Sequence, residues 1–342
     1  MSNIYEYIKN NNKSFREDKL NDIDKVILSL IPYIDFTDIV FDEPISFKDA
    51  ISKFIIIKDK KEFAKKAVFD KDIYKMVEHL NNSDRYKDIL ILNYIVKNNN
   101  EEQFSAITMQ LPDNTLFIGY EGTDTLLSGW KEDFEMSYKY PIPAQADAIE
   151  YANRSIKITD FKVILGGHSK GGNLALVAAM NLSLIDRMRV KEIISVDGPG
   201  LKTEEYNSKE YQRIKPKYRH IIPNYSFVGQ LLNNDNNEIV KSNRIDIYSH
   251  SPLEWELIDN KFLSAELSSF STKINNKIDK WLEKHTYEER RKTIEDLFNI
   301  FDNLHIKDLH ALSNPVNLIR IIKASKHLDE TTKDILKSFI GG

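Results

Sequence analysis

Residues 161–180 read FKVILGGHSKGGNLALVAAM, and this stretch constrains the chain more than any other. A short apolar run (Val163, Ile164, Leu165) leads into a turn of small residues from Gly166 to Gly172. An Ala- and Leu-rich segment with helical composition follows from about Asn173. Inside the turn, Gly167-His168-Ser169-Lys170-Gly171 fits the pattern G-x-S-x-G. A serine between strand and helix must take a strained backbone, and glycines two residues to either side remove the Cβ atoms that would collide. The hydroxyl is then lifted off the sheet, where the first amides of the helix favour a developing negative charge. The plain alternative is a Gly-rich connection without chemistry. A phosphate-cradling loop would end in Lys-Ser or Lys-Thr, which this one does not. The surrounding strand, turn and helix favour a nucleophile elbow carrying Ser169.

The rest of the composition narrows the chemistry. The 342-residue chain has no cysteine, which excludes disulfides, thiolate catalysis and Cys-ligated metals and is compatible with a reducing compartment. With 48 basic and 52 acidic residues the formal charge is -4, which implies no general affinity for nucleic acid or anionic membrane. The amino terminus is polar where a secretory signal would be apolar, and no run approaches the roughly eighteen apolar residues of a membrane span. A cytoplasmic protein with no integral membrane segment is the expectation. The asparagine clusters, NNNK, KNNN and NNDNN, read as loops.

Along the chain, residues 22–36 carry a helical stripe (Ile23, Val26, Ile27, Leu30, Ile31) broken at Pro32, and residues 46–80 continue in helical patterns. Residues 84–96, with Tyr86, Ile89, Leu90, Asn93 and Tyr94, also read as helix. Strands begin at Phe104: FSAITMQLP and TLFIGYEG flank the turn Pro112-Asp113-Asn114 and predict a hairpin. A helix over residues 141–155 then leads to the elbow strand, so the strands on either side of it run parallel. Further strands are predicted at residues 192–196, 219–223 and 243–250. From Leu253 the chain returns to amphipathic helix. The expected fold is α/β, a hydrolase-type sheet with helices on both faces and helical additions at each end. Its expected divisions are a helical cover over 1–100, the α/β core over 101–255 and a helical extension over 256–342, packed as one unit.

A serine hydroxyl needs a base within hydrogen-bond reach and a carboxylate to orient that base. The chain order serine, acid, histidine leaves His220, His250, His285, His305, His310 and His327 as bases. His250 is favoured because it follows a predicted strand at a loop entry. His168, beside the serine, is expected to pack or hydrogen-bond locally. For the acid, Asp197 ends the strand after the elbow strand, with capping of Gly198-Pro199-Gly200 as its ordinary role; Asp235 and Asp246 are the other choices. Oxyanion donors are nominated in the amide of Lys170 and in Thr123 of Gly122-Thr123-Asp124, where Asp124 is otherwise a helix cap.

Taken in order, Tyr120-Glu121-Gly122-Thr123-Asp124, Trp130, Asp133, Gly167-His168-Ser169-Lys170-Gly171-Gly172-Asn173, Asp197-Gly198-Pro199-Gly200 and His250 resemble lipase-like α/β hydrolases. The resemblance points to a bacterial, lipase-class-3-related family of unassigned physiological function. It runs from the helical leader to about Trp255. It implies that Thr123 takes the oxyanion role, that residues around 124–130 form a lid or its remnant, and that the substrate is lipid-like. Two departures stand out. Glu121 occupies the place of an arginine, and Ser226-Phe227-Val228-Gly229 has serine where the Asp-x-Val-Pro stretch of those lipases has its acid.

The expected function is an ester hydrolase with Ser169 as nucleophile, His250 as base and Asp197 as acid, with Thr123 and Lys170 at the oxyanion. It acts on a small acyl substrate and needs no metal or organic cofactor. A hydrolase-derived binding or scaffold protein is the rival from another class, and acyl transfer or peptide cleavage by the same serine is the enzymatic rival.

Overall fold

The computed structural model describes residues 2–58, 70–98, 102–123, 127–160, 162–245, 247–306, 311, 315–328 and 333. Eight strands form one sheet in sequential order: β1 (Ile45–Ser46), β2 (Leu90–Asn98), β3 (Gln103–Gln110), β4 (Leu116–Tyr120), β5 (Val163–His168), β6 (Val190–Val196), β7 (Tyr218–Pro223) and β8 (Asn237–Val240). The first four pair antiparallel, and β4 to β8 run parallel. The predicted hairpin closes between β3 and β4, with Gln110 opposite Leu116.

Alternation along the strands sends side chains to two separate cores. Ile107, Met109, Phe117, Ile164, Ile194 and Val196 pack with the N-terminal helices, among them Asp22–Leu30. Ala106, Ile118, Val163, Leu165 and Ile193 pack on the opposite face, with Pro143–Ser155 and Lys170–Met180. Every residue of Lys170–Met180 is buried, so the helix behind the elbow is enclosed on all sides. A third apolar cluster joins Leu127, Trp130 and Phe134 of Leu127–Glu135 to Ile294, Leu297 and Phe298 of Tyr287–Asn303. The segment expected to act as a lid is therefore, from Leu127 onward, a helix packed under the C-terminal helices; its residues 124–126 lie outside the described residues. The chain also closes on itself, for Ser2 pairs with Leu257 and Trp255 joins the core of the N-terminal helices.

Two sequence expectations are corrected. Residues 84–96 contain no helix, because 84–88 form turns and β2 begins at Leu90. A register shift between Ile91 and Asn93 breaks the two-residue alternation, and the spacing that results imitates a helix. Residues 243–250 contain no strand among the described residues. Strand β8 falls earlier, where Val240 reaches the core, whereas Ile245 is 71% exposed and Ile247–His250 forms a 3-10 turn. His250 thus ends a 3-10 turn and does not follow a strand. Among the described residues no helix is long and apolar enough to cross a membrane.

Candidate active site

Ser169 stands between β5 and the helix Lys170–Met180 with φ 56° and ψ -132°. That region is strained for a residue with a Cβ. Its amide donates to the Val196 carbonyl at 2.9 Å, which ties the turn to β6. The glycines on either side supply room, not conformation, since no described glycine has a positive φ. A methyl on Gly167 would strike the Gly171 backbone, and one on Gly171 would strike the Tyr120 carbonyl. The serine carries the strain, and the glycines let strand and helix meet around it.

Asp197 ends β6, fully buried and with φ 49°. Its Oδ2 lies 2.6 Å from His250 Nδ1, while Oδ1 accepts from Ser226 Oγ at 2.5 Å and from the Gly229 amide at 3.1 Å. When Nδ1–H donates to Asp197, a neutral His250 ring carries its lone pair on Nε2, the state a general base needs. Ser226 occupies the position where the resemblance expects the acid, and it donates to the aspartate that follows another strand, β6. His250 is also held from its other side. Its ring lies 4.4 Å from that of His168, and its carbonyl lies 2.9 Å from His168 Nε2.

Thr123 follows β4, and its hydroxyl donates to Asp133 Oδ2 at 2.6 Å. Its side chain is therefore engaged, leaving the backbone amide as the group it can turn to an oxyanion. Burial pushes the Asp133 carboxyl up to about 7, opposed by Lys170 and by the Thr123 bond. The Lys170 side chain points away from the turn. Its Nζ lies fully buried, 2.9 Å from Glu132 Oε2 and 2.8 Å from the Gln103 carbonyl, and Glu132 Oε1 accepts from the Ala144 amide at 2.9 Å. Burial opposes the charge on Lys170, but Glu132 and Asp133 outweigh it and raise its pKa. The amide of Lys170, at the start of the helix, is one of the donors a helix leaves without an internal partner.

The other nominated residues lie elsewhere. His220 bonds Asn237 at 2.8 Å, His285 bonds the Trp281 carbonyl at 2.8 Å, and His305 lies just beyond the helix Tyr287–Asn303. Asp235 takes Tyr211 at 3.0 Å and Lys215 at 2.8 Å. Asp124, Asp246 and His310 lie outside the described residues. A cavity of about 110 Å³ opens beside Ser169. Its walls include Trp130, Phe134, Phe227 and Val228, with Ile278, Trp281 and Ile294 from the C-terminal helices. Sequence reasoning missed Glu132, Trp281 and the bond made by Ser226; for the first two the only signal was an amphipathic spacing shared with ordinary core residues.

Comparison with known proteins gives a family and distant likenesses among solved structures. The family model described as Mbeg1-like matches residues 80–299. A solved structure described as the crystal structure of M37 lipase aligns with 61% of this chain and 69% of that one, at 16% identity and a TM-score of 0.40. No curated protein matches the chain.

Proposed function

The chain belongs to the Mbeg1-like family, and from that premise we propose that it is a serine hydrolase acting on carboxylic esters or related acyl compounds. The observation that carries this reading is the 2.6 Å bond between the buried Asp197 and His250, whose ring lies 4.4 Å from that of His168, the residue before the strained Ser169. In the proposed reaction Ser169 Oγ attacks the acyl carbonyl as its proton passes to His250 Nε2. The amides of Thr123 and Lys170 hold the oxyanion. Collapse expels the alcohol, which takes the proton back from His250. A water molecule, deprotonated by the same histidine, then frees the acid and regenerates Ser169. The apolar wall beside Ser169 supports an acyl group with a hydrocarbon portion.

Intact-mass measurement after fluorophosphonate treatment, on wild type and Ser169→Ala, tests this. One adduct is expected on wild type and none on the variant. A folded wild type that takes no adduct would favour the binding or scaffold reading, and an adduct on Ser169→Ala would move the nucleophile elsewhere.

A further inference from the structure

The N-terminal helices supply no group to the chemistry above, yet one of their residues reaches it. Tyr33 closes the 3-10 turn Ile31–Tyr33 that follows Asp22–Leu30, and its hydroxyl lies 2.9 Å from His168 Nδ1. The other ring nitrogen, Nε2, lies 2.9 Å from the backbone carbonyl of His250. A carbonyl only accepts, so Nε2 must carry the proton of a neutral ring; Nδ1 then accepts, and the Tyr33 hydroxyl donates to it. Burial, and after it the charge of His250, hold the pKa of His168 well below its ordinary value, so the neutral ring is the form present. Tyr33 therefore selects which tautomer His168 adopts, and that tautomer supplies the donor that His250 uses. The same hydroxyl lies so close over Gly122 that a methyl there would strike it, which sets Tyr33 against the loop carrying Thr123 as well.

We propose that Tyr33 and His168 are positioning residues, which fix the main chain at His250 and thereby aim its ring between Asp197 and Ser169. The inference rests on the hydrolase reading of Ser169 and His250. A purely packing role would need only the two rings. The positioning role needs one hydroxyl and one N–H, and conservative variants separate the two.

The full chain is assayed with p-nitrophenyl butyrate and with the fluorophosphonate, as wild type, Tyr33→Phe, His168→Gln and His168→Phe. Gln places its amide nitrogen close to where Nε2 stood and keeps a donor; Phe keeps only the ring. Loss of one hydrogen bond to an aligned group predicts a fall in kcat of about tenfold for Tyr33→Phe, with KM within about twofold. For His168→Phe the expected fall is about a hundredfold, with recovery of most of it in His168→Gln. Should His168→Phe fail to fold, Tyr33→Phe still decides, since it removes a single oxygen. Wild-type kcat in Tyr33→Phe, or a His168→Gln no better than His168→Phe at equal Tm, overturns positioning while leaving the hydrolase reading intact. A folded wild type that takes no adduct overturns both.

Discussion

Asp24 and Asp197 are both fully buried aspartates, each surrounded by donors, and on the proposed reading they serve opposite ends. Asp24 accepts from Arg85 Nε and Nη2 at 2.8 and 2.5 Å, from Tyr86 at 2.8 Å, from Tyr7 at 3.1 Å and from the Asn21 amide at 3.0 Å. Its cationic partner is an arginine, which stays charged at any pH a protein meets. That cluster has one state, and it ties three N-terminal segments together. Asp197 has two neutral donors and a histidine, whose ring nitrogens can both accept and donate a proton, and that ring lies 4.4 Å from the ring of His168, the residue before Ser169. Burial and saturation alone do not distinguish a structural carboxylate from a working one. On the proposed reading, the partner's ability to change state, beside the strained Ser169, does.

The largest expected effect tests Asp197, the member of the pair proposed to work. Asp197→Asn should lower ester turnover by about 10⁴-fold, on the order of 5.5 kcal/mol, because the amide no longer fixes the tautomer of His250. Its Tm should change little. If Asp197→Asn instead unfolds the chain while turnover per folded molecule holds, the two aspartates are alike and the contrast is gone. Next comes Arg85→Met, which leaves the Asp24 carboxylate buried without its cation. Chemical denaturation should show a loss of about 3–5 kcal/mol. Fluorophosphonate labelling of the molecules that remain folded should match wild type.

How much of this was legible beforehand differs between the two regions. The elbow was readable because strand, turn and helix are consecutive in sequence, and Gly167 and Gly171 are demanded by close approach inside that one turn. Asp197 was readable as a strand end, but its partners were not, since Ser226, Gly229 and His250 come from loops that only the sheet order brings together. The placement of His250 directly after a strand failed because Ile245 and Ile247 alternate as a strand would, yet Ile245 faces solvent. The strand character of β2 was hidden by its bulge at Ile91 and Asn93. The Asp24 cluster was invisible, as nothing local marks Arg85 to meet a residue sixty-one positions earlier. Periodicity reports which side chains are buried. It does not report whom they meet.

A third aspartate sharpens the comparison. Asp133 lines the cavity and accepts at Oδ2 from the Thr123 hydroxyl, while its buried Oδ1 has no partner among the described residues. Burial, opposed by Lys170 and Thr123, pushes its pKa from 3.8 up to about 7. Between these values the unfolded chain has lost the proton that the folded chain keeps, so stability is fully present below about pH 4 and declines as pH rises through 7. Partial contact with solvent reduces the effect to about 2 kcal/mol. Thermal unfolding from pH 4 to 8 should show this decline flattened in Asp133→Asn. Glu102, pushed up to about 7 by burial and then by Asp147, titrates in the same window, so the difference between the two proteins is the quantity to read.

The smallest effect is the most direct comparison of the two carboxylates, because it removes one neutral donor from each. Ser226→Ala deletes the 2.5 Å bond to Asp197 Oδ1 and leaves the Gly229 amide and His250 in place. Tyr7→Phe deletes the 3.1 Å bond to Asp24 and leaves Arg85 and Tyr86. Each loss is about 1–2 kcal/mol, as both bonds end on a charged acceptor that keeps its other donors. The contrast predicts where each loss appears. For Ser226→Ala it should appear in turnover, as a fall of about tenfold, because a less firmly held Asp197 holds His250 less firmly. For Tyr7→Phe it should appear in the denaturation midpoint, with turnover unchanged, because nothing near Asp24 moves during the reaction. A Ser226→Ala protein that loses stability and keeps its turnover would place Ser226 with the structural cluster.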